Sequence, residues 1–300
     1  MSKVSAIVLT HNEARHIRDC LASLTWCDET WVVDSNSTDG TLDICKEYTT
    51  KIAQCPLVDF SALREWARVN LPLRNTWILF LDSDERITPE LAQEIEARID
   101  TEPYVAYNIP GRQFFWGQWL RFGEASPYLQ LKLFHRDRGH YDDRLVHERV
   151  IIDGAIGFMR HPMLHRSREN MVETIDKLNR YTTGEAIRMY RTGQELYTPA
   201  SGSYSQKNTV LKFIFRYLPA KPLMKFLYDY VIRQGFRDGY LGFVWAFCQG
   251  LYVFACYFKL WELKRGSVTI EELEARWKAG RTPKAAEIPP LVGAENAPPG

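Results

Sequence analysis

The sequence has few cysteines, and none of them stands in a paired pattern. Its 300 residues include six cysteines, and no two of them form a C-x-x-C motif. This density excludes a disulfide-stabilised scaffold and is typical of reduced thiols in the cytosol. The N-terminus lacks a basic lead followed by a long apolar core, since its first apolar run, residues 4–9, has only the length of a strand. We therefore expect no signal peptide and a cytoplasmic location.

An excess of one charge sign is also missing. Lysine and arginine number 38 and aspartate and glutamate number 37, so the formal net charge is +1. Because nucleic-acid binding needs a dominant basic field, we expect no nucleic-acid partner. The charge is nevertheless unevenly distributed, since residues 207–265 contain ten lysines and arginines against three acidic residues. This basic, aromatic-rich stretch predicts attraction to an anionic surface.

The first hundred residues alternate short apolar runs with amphipathic stretches. Three apolar runs have the length of a strand: residues 4–9, 30–33 and 76–81. Each is followed by a stretch with helical spacing: residues 13–24, 38–48 and 88–99. This alternation predicts an α/β fold with a parallel sheet and right-handed crossovers. Strands and aromatic loops are predicted for residues 104–152, and a long helix for residues 169–191.

Polar residues follow each of the three predicted strands, at positions 10–13, 34–40 and 82–85. Turn and cap formation explains any one of these clusters, but three in register predict a ligand site, because ligands bind beyond the carboxyl ends of parallel strands. In an extended segment Asp82 and Asp84 point the same way, and two close carboxylates repel each other unless a cation neutralises them. Their oxygens suit Mg²⁺ or Mn²⁺.

The order and spacing of three motifs resemble family 2 of the glycosyltransferases, which has the GT-A fold. These motifs read SAIVLTHNE at 5–13, VVDSNSTDGT at 32–41 and ILFLDSDE at 78–85. Further segments are similar to the bacterial subgroup that includes lipopolysaccharide-core β-1,4-glucosyltransferases: KLF at 132–134, LVHE at 145–148 and LH at 164–165. The resemblance implies a Rossmann-like nucleotide-binding sheet with mixed acceptor-side strands. The basic, aromatic-rich stretch adds C-terminal amphipathic, membrane-associated helices to the predicted fold.

The resemblance also implies a site for a nucleotide-sugar donor, with UDP as the nucleotide at the level of the family. The residues implied in donor binding are Thr10, Asn12, Glu13, Asp34, Ser35, Arg64, Asp82 and Ser83. Asp84 would hold a Mn²⁺ or Mg²⁺ ion on the donor diphosphate, with Asp82 and His165 as further metal ligands. Residues 60–65 depart from the Gly-x-x-Gln-Lys-Asn pattern of relatives, and Arg64 would replace the lysine as a phosphate contact.

Inverting transfer needs a general base, because the acceptor hydroxyl is a poor nucleophile. The resemblance implies that Glu148 is this base, since 146–148 occupies the place of the acceptor-side catalytic acid residue. His147 is the alternative, because a neutral imidazole also accepts a proton. Asp142 and Asp143 come third. A purely structural pairing of Glu148 with a neighbouring arginine is the competing interpretation.

Residues 239–258 form an uncharged run of 20 residues, which is barely long enough to span a bilayer. Its tyrosines, tryptophan and glycines are more typical of an interfacial helix, although a buried core helix or an oligomer contact would also fit. We predict a catalytic domain at 1–205, a membrane-association region at 206–265 and a helix with a disordered tail at 266–300. The protein would act on a lipid-linked saccharide or glycan, as a peripheral or monotopic protein at the inner face of the plasma membrane.

Two other functions compete with glycosyl transfer. A nucleotidyltransferase acting on sugar phosphates also has an α/β fold and uses a metal. It would normally carry a glycine-rich phosphate loop after the first strand, and residues 10–13 contain no glycine. A non-catalytic membrane-associated scaffold with the same fold would not need the acidic residues Asp82, Asp84 and Glu148.

Overall fold

The structure is a computed structural model, and it describes residues 3–55, 60–124, 128–141, 150–166, 169–194, 196 and 220–279. These residues form two compact units. The first unit contains the described residues of 3–112 and 128–166, and the second contains those of 113–124 and 169–279. The boundary predicted at residue 205 lies outside the described residues.

The first unit is built on a mixed β-sheet. Its parallel part consists of β1 (Val4–Thr10), β2 (Glu29–Asp34), β3 (Ile52–Gln54) and β4 (Trp77–Asp82). The other strands of the described residues are β5 (Glu85–Ile87), β6 (Ala106–Phe115), β7 (Gln118–Trp119), β8 (Tyr128–His135), β9 (Gly139–Tyr141), β10 (Val150–Ile152), β11 (Ile156–Phe158) and β12 (Met163–Arg166). The strand order is β3-β2-β1-β4-β8-β6-β12-β5, and β11 pairs with β6. Strand β8 runs antiparallel to β4, and β9 and β10 form a separate antiparallel pair. This mixed sheet has the parallel strands and added antiparallel strands that we predict from the sequence.

Helices cover both faces of this sheet because the side chains of a strand alternate between its faces. The helices are α1 (Ile17–Ala22), α2 (Thr41–Lys46), α3 (Phe60–Asn70) and α4 (Pro89–Arg98). On one face, Val4, Ala6 and Val8 of β1 pack in one buried cluster with residues of α1 and α4. On the other face, Ile7 and Leu9 pack in a cluster with residues of α3. The strand is therefore buried along its whole length, as the run at 4–9 predicts.

Local signals explain where several elements begin. The hydroxyl of Thr88 accepts a hydrogen bond from the Leu91 backbone N–H at 3.2 Å, and Pro89 occupies the first turn of α4. Both features are favoured at a helix N-terminus. Helix α2 begins later than the pattern at 38–48 predicts, because the Asp39 carboxylate binds the N–H and hydroxyl of Thr41.

The second unit is largely helical. The helices of its described residues are α5 (Met171–Thr192), α6 (Lys221–Leu227), α7 (Gly239–Arg265) and α8 (Ile270–Ala279), with a π-helical turn at Tyr228–Ile232 and a 3₁₀ turn at Gly235–Asp238. The end of β6 and β7 also belong to this unit. By length and composition, the helical stretch Gly235–Arg265 could cross a membrane, with a mean hydropathy of 1.6. This stretch contains the uncharged run that the sequence places at 239–258.

Candidate active site

The carboxyl ends of three parallel strands meet at one edge of the sheet of the first unit. Thr10 lies opposite Asp34, and its neighbour Leu9 lies opposite Asp82 in the strand register. The three polar clusters predicted from the sequence therefore begin at the same edge. Ligands of parallel sheets bind at such an edge, where loops replace the strands.

Hydrogen bonds join the loop after β1 to the loop after β2. The Asn12 backbone N–H donates to Ser37 Oγ at 2.9 Å, and Asn12 Oδ1 accepts from the Thr38 N–H at 2.7 Å. Asn12 and Asn36 both adopt left-handed backbone angles, with φ of 53° and 59°. Asparagine tolerates this conformation better than most residues. The backbone N–H of Glu13 donates to Thr41 Oγ1, so both loops are fixed together.

Buried polar groups lie behind these loops. Asp34 is fully buried, and its carboxylate accepts hydrogen bonds from the N–H and the hydroxyl of Ser37 at 3.0 and 2.5 Å. Ser35 is buried and its N–H donates to the Thr10 carbonyl. Thr10 is 4% exposed, and its hydroxyl has no hydrogen-bond partner among the described residues. Because a buried hydroxyl without a partner is unfavourable, this position fits a polar ligand group.

Asp82 is held by two cations. Arg64 Nη2 donates to Asp82 Oδ1 at 2.5 Å, and Lys132 Nζ donates to Asp82 Oδ2 at 2.8 Å. Lys132 also contacts Glu85 Oε2 at 2.8 Å, and the same Glu85 oxygen accepts from the Asp82 backbone N–H. Arg64, Lys132 and Glu85 are all buried. Asp82 therefore belongs to a buried ion network that spans three strands and α3.

This network shifts the pKa values of its members in opposite directions. Burial alone would raise the pKa of Asp82, but the Arg64 and Lys132 cations outweigh it and hold that pKa well below its ordinary value. Burial raises the pKa of Glu85, and Lys132 only partly offsets this effect. Burial would lower the pKa of Lys132, but Asp82 and Glu85 raise it. Lys132 and Asp82 are therefore charged at neutral pH.

Asp84 and His165 form a second group at this edge. His165 Nε2 lies 3.3 Å from Asp84 Oδ2, and His165 Nδ1 lies 3.2 Å from Tyr128 Oη. The antiparallel pairing of β12 with β5 brings them together, since His165 lies opposite Glu85. Burial would lower the pKa of His165, but the Asp84 carboxylate outweighs it, so the pKa of the imidazole is raised.

The residues present fit part of a divalent metal site. Asp84 offers a carboxylate oxygen and His165 an imidazole nitrogen within contact distance of each other. Among the described residues, no group of three histidine, cysteine, aspartate or glutamate side chains surrounds a common point. An ion bound by Asp84 and His165 would therefore take its other ligands from water and from a donor diphosphate, as Mg²⁺ usually does. Asp82, the remaining predicted ligand, has both oxygens on cationic side chains.

The structure describes only part of the predicted catalytic machinery. Glu148 and His147, the predicted bases, lie outside the described residues, and so do Asp142 and Asp143. Ser83, the middle residue of the D-x-D motif, lies within the described residues and is buried.

Three residues at this edge were not predicted to belong to the site, namely Tyr128, Lys132 and Tyr141, and Glu85 was predicted only as a member of the polar cluster at 82–85, without a role of its own. Tyr141 is buried, and the Arg64 guanidinium lies 5.9 Å from the centre of its ring. Lys132 stands in a segment that carries part of the family resemblance, so this signal could have identified it. Tyr128 and Tyr141 give no signal in the sequence beyond their aromatic character.

Comparison with known proteins identifies the family. The family described as Glycosyl transferase family 2 matches residues 5–163, which is more than half of the chain. A lipopolysaccharide core biosynthesis glycosyltransferase, LpsC of Rhizobium meliloti, is 26% identical over 267 residues, covering 86% of this chain and 92% of the relative. An uncharacterized glycosyltransferase of Rickettsia felis is 25% identical, covering 95% of this chain and 99% of the relative.

Solved structures show more distant similarity. The S. aureus TarS fragment 1–349 in complex with UDP-GlcNAc is 17% identical with a TM-score of 0.44, covering 98% of this chain and 99% of that one. Glucosyl-3-phosphoglycerate synthase from Mycobacterium tuberculosis, with Mg²⁺ and UDP, is 14% identical with a TM-score of 0.41, covering 68% and 84%. The family match, which includes β1, β2, β4 and the D-x-D segment, confirms the predicted GT-A fold class. The chain belongs to glycosyl transferase family 2.

Proposed function

We propose that this enzyme transfers a hexose from a nucleotide-sugar donor to a lipid-linked or lipopolysaccharide glycan, with a UDP-sugar as donor and with inversion at the anomeric carbon. The observation that supports it best is the edge of the sheet in the first unit. Four features lie there at neighbouring strand ends. They are the unpartnered buried hydroxyl of Thr10, the joined loops after β1 and β2, the ion network around Asp82, and the Asp84–His165 pair. This combination suits a ligand with a base, a diphosphate and a sugar.

The loops after β1 and β2 would bind the nucleoside part of the donor. Thr10 would donate its free hydroxyl hydrogen to the donor, which removes the unfavourable burial of an unpaired group. Asp34 would contact the base, with Ser35, Asn12 and Glu13 beside it. Arg64 carries a positive charge that would face the diphosphate, and Asp82 keeps that side chain in place.

Asp84 and His165 would hold a Mn²⁺ or Mg²⁺ ion on the diphosphate. A bound divalent cation supplies charge stabilisation as negative charge develops on the leaving phosphate. In its absence the carboxylate of Asp84 favours the protonated form of His165, so the imidazole would have to release this proton before it could serve as a ligand. Tyr128 beside His165 Nδ1 would fix the ring orientation.

Inversion requires one direct displacement, with the acceptor hydroxyl attacking opposite the leaving diphosphate. Glu148 is the proposed base, and His147 is the alternative. A base within reach of the acceptor hydroxyl removes its proton as the new bond forms. The acceptor is proposed to be lipid-linked, because a relative of this chain carries the name of a lipopolysaccharide core biosynthesis enzyme. Membrane association at the cytoplasmic face, through the apolar helix α7, fits such an acceptor.

Metal-dependent donor binding tests the donor half of the proposal. Binding of UDP to the wild-type protein, measured by calorimetry, should strengthen on addition of Mn²⁺. Asp84→Asn should remove this effect and lower the rate of donor hydrolysis or transfer by about 10²-fold or more, since it removes a ligand of the charge-stabilising ion. The matched control is Asp176→Asn, an exposed aspartate on α5. UDP binding that ignores both Mn²⁺ and the Asp84 substitution would contradict the metal mechanism.

Two substitutions test the base. Glu148→Gln keeps the shape of the side chain but removes the proton acceptor, so kcat should fall on the order of 10²-fold while donor affinity stays nearly unchanged. His147→Ala should have a smaller effect. The reverse ranking would assign the role to His147, and near-normal rates in both variants would direct the search to Asp142 and Asp143.

A further inference from the structure

Helix α7 carries a row of exposed aromatic side chains along its whole length. At 100° per residue, six of them fall within a sector of about 60° around the helix axis. Their exposed fractions run from 41% to 75%, and we call them the aromatic stripe: Tyr240, Phe243, Phe247, Phe254, Phe258 and Trp261. Soluble surfaces rarely expose an apolar row of this extent, so the aromatic stripe is expected to meet an apolar partner.

The other side of α7 is packed inside the second unit. Val253, Cys256 and Leu260 form a buried cluster with Met189 of α5. The Lys259 ammonium donates to the carbonyl and side chain of Asn179 and to the hydroxyls of two threonines of α5, at 2.7–2.9 Å. Helix α7 is therefore fixed along α5 by its inner side, and the aromatic stripe faces outward.

The segment before α7 widens this apolar surface. Phe226 and Tyr230 contact Phe243 edge to face, with ring centroids 5.6 and 5.7 Å apart. Their neighbours on α6 and the following turns expose further apolar side chains: Leu223, Leu227, Val231, Ile232 and Phe236. A methyl group at Gly250 would lie 2.9 Å from the Pro222 carbonyl, so α6 crosses α7 closely beside the aromatic stripe.

The charges around this surface are mostly positive. Arg237 precedes the aromatic stripe, and Lys264 and Arg265 follow it, all three exposed. Two of the acidic residues of residues 220–265, Asp229 and Asp238, are buried and accept hydrogen bonds from backbone N–H groups. Cations at both ends of an aromatic surface are complementary to the phosphates of an anionic lipid interface.

The packing of α7 decides its direction relative to a membrane. With 27 residues it is about 40 Å long, which is sufficient to cross a bilayer. A crossing would carry α5 into the hydrocarbon with it, and α5 exposes Asp176, Arg180 and Arg191. Exposed charges in the hydrocarbon are strongly unfavourable.

We infer that α7 lies parallel to the surface of an anionic bilayer, with the aromatic stripe inserted among the lipid headgroups and α5 on the side away from the lipid. This orientation rests on the membrane association proposed above and does not depend on the chemistry of the donor site. In this orientation the residues of the aromatic stripe insert into the lipid, and α7 does not cross the bilayer.

Vesicle binding tests the inserted surface. The full chain should co-sediment at low salt with vesicles of phosphatidylcholine and phosphatidylglycerol, and bind vesicles of phosphatidylcholine alone at least about tenfold more weakly. Phe247→Ser with Phe254→Ser should weaken binding to the anionic vesicles at least about tenfold. Phe158→Ser is the matched control, because Phe158 lies in the first unit with the same exposed fraction as Phe247, 53%. Phe258→Ser with Trp261→Ser is a second variant pair, which should weaken binding to the anionic vesicles in the same way. Thermal unfolding of each variant checks that it is folded.

Depth measurements test the orientation. Single cysteines at positions 240, 247, 254 and 261, labelled with an environment-sensitive fluorophore, are compared by quenching with lipids that carry spin labels at known depths. The native cysteines are buried except the half-buried Cys27, which is replaced by alanine. A parallel helix places the four labels at one depth. A crossing helix spreads them over about 32 Å.

Three results would overturn the inference. A graded depth along α7 would show a crossing. Unchanged vesicle binding in both aromatic variant pairs would move the contact elsewhere. Concentration-dependent dimers that both pairs abolish, with no vesicle binding by wild type, would make the aromatic stripe an interface between two copies. This last result would also contradict the proposed membrane association. The proposed transferase activity would be unaffected by it, because metal-dependent UDP binding tests that activity separately.

Discussion

Replacing Lys132 with methionine removes the cation between the partly buried carboxylate of Asp82 and the fully buried carboxylate of Glu85. In the wild-type protein Lys132 Nζ lies 2.8 Å from both Asp82 Oδ2 and Glu85 Oε2. Methionine keeps most of the apolar stem but leaves Glu85 without its cation, and Glu85 is fully buried. Removing one partner of a buried ion pair costs about 3–5 kcal/mol. At about 2–4 °C per kcal/mol for a domain of this size, Tm should fall by roughly 6–20 °C.

The same substitution should weaken donor binding. Among the described residues, Arg64 then remains as the partner of the Asp82 carboxylate, so this carboxylate is less firmly oriented at the strand end where the donor is proposed to bind. We expect UDP affinity to fall about tenfold, which corresponds to about 1.4 kcal/mol. Lys51→Met is the control, because Lys51 also pairs with a buried carboxylate, that of Glu29, at the opposite end of the parallel strands. It should destabilise the fold without changing UDP affinity.

A double substitution tests whether the unpaired carboxylate of Glu85 causes the loss of stability in Lys132→Met. Glu85→Gln removes the carboxylate that Lys132→Met leaves unpaired, so the double variant should recover part of the stability lost in the single one. Thermal unfolding of the four proteins of this cycle measures the coupling. Two results would each show that the buried network does not stabilise the fold as its geometry indicates. One is unfolding of Lys132→Met at the wild-type temperature, and the other is a double variant that loses the sum of the stabilities lost in the two single variants.

Three other substitutions test local features of the first unit. Burial would raise the pKa of Glu29, but the hydrogen bonds that its carboxylate accepts outweigh burial and lower this pKa from 4.5. The ionised carboxylate therefore stabilises the fold at pH values above 4.5, and this contribution is lost as the pH falls through the lowered pKa. Glu29→Gln should therefore cost about 1–3 kcal/mol at pH 7 in urea unfolding, and the difference from wild type should shrink in acid; a constant difference would refute this. Thr88→Ala should cost about 1 kcal/mol in the same assay through the lost helix cap, whereas Thr88→Ser should be nearly neutral; equal losses would exclude a capping role. Gly111→Ala would place a methyl group 2.1 Å from Tyr128 Cζ and should lower Tm, and Tyr128→Ala should relieve this effect in the double variant; additive losses would argue against the clash.

Much of the α/β core could be predicted from the sequence, because buried parallel strands are apolar throughout. The runs at 4–9, 30–33 and 76–81 correspond to β1, β2 and β4 within one residue at each end. The cap at Thr88 was also identifiable, since a threonine before a proline is a local signal. The short strand β5 was missed, because three residues give no periodicity and its pairing with β12 depends on the tertiary fold.

The candidate site was predicted only where its residues follow strands. Asp34 and Asp82 were identifiable because each ends a strand. The two cations on Asp82 come from distant elements, α3 and β8, and the sequence does not show that Arg64 and Lys132 meet. Whether a carboxylate is neutralised by side chains or by a metal depends on this packing, which motifs do not encode. The role of Glu148 stays a prediction.

The hydrogen bonds between the loops after β1 and β2 have a consequence for the thermodynamics of donor binding. Asn12 joins the two loops through both its backbone and its side chain, and Ala14 N–H donates to Asp39 Oδ2 across the same gap. Loops held in this way have little conformational freedom left to lose when a ligand arrives. If the donor binds at these loops as proposed, the entropic penalty of binding should come mainly from the donor itself, and the loops should select nucleotides by a shape that exists before they bind.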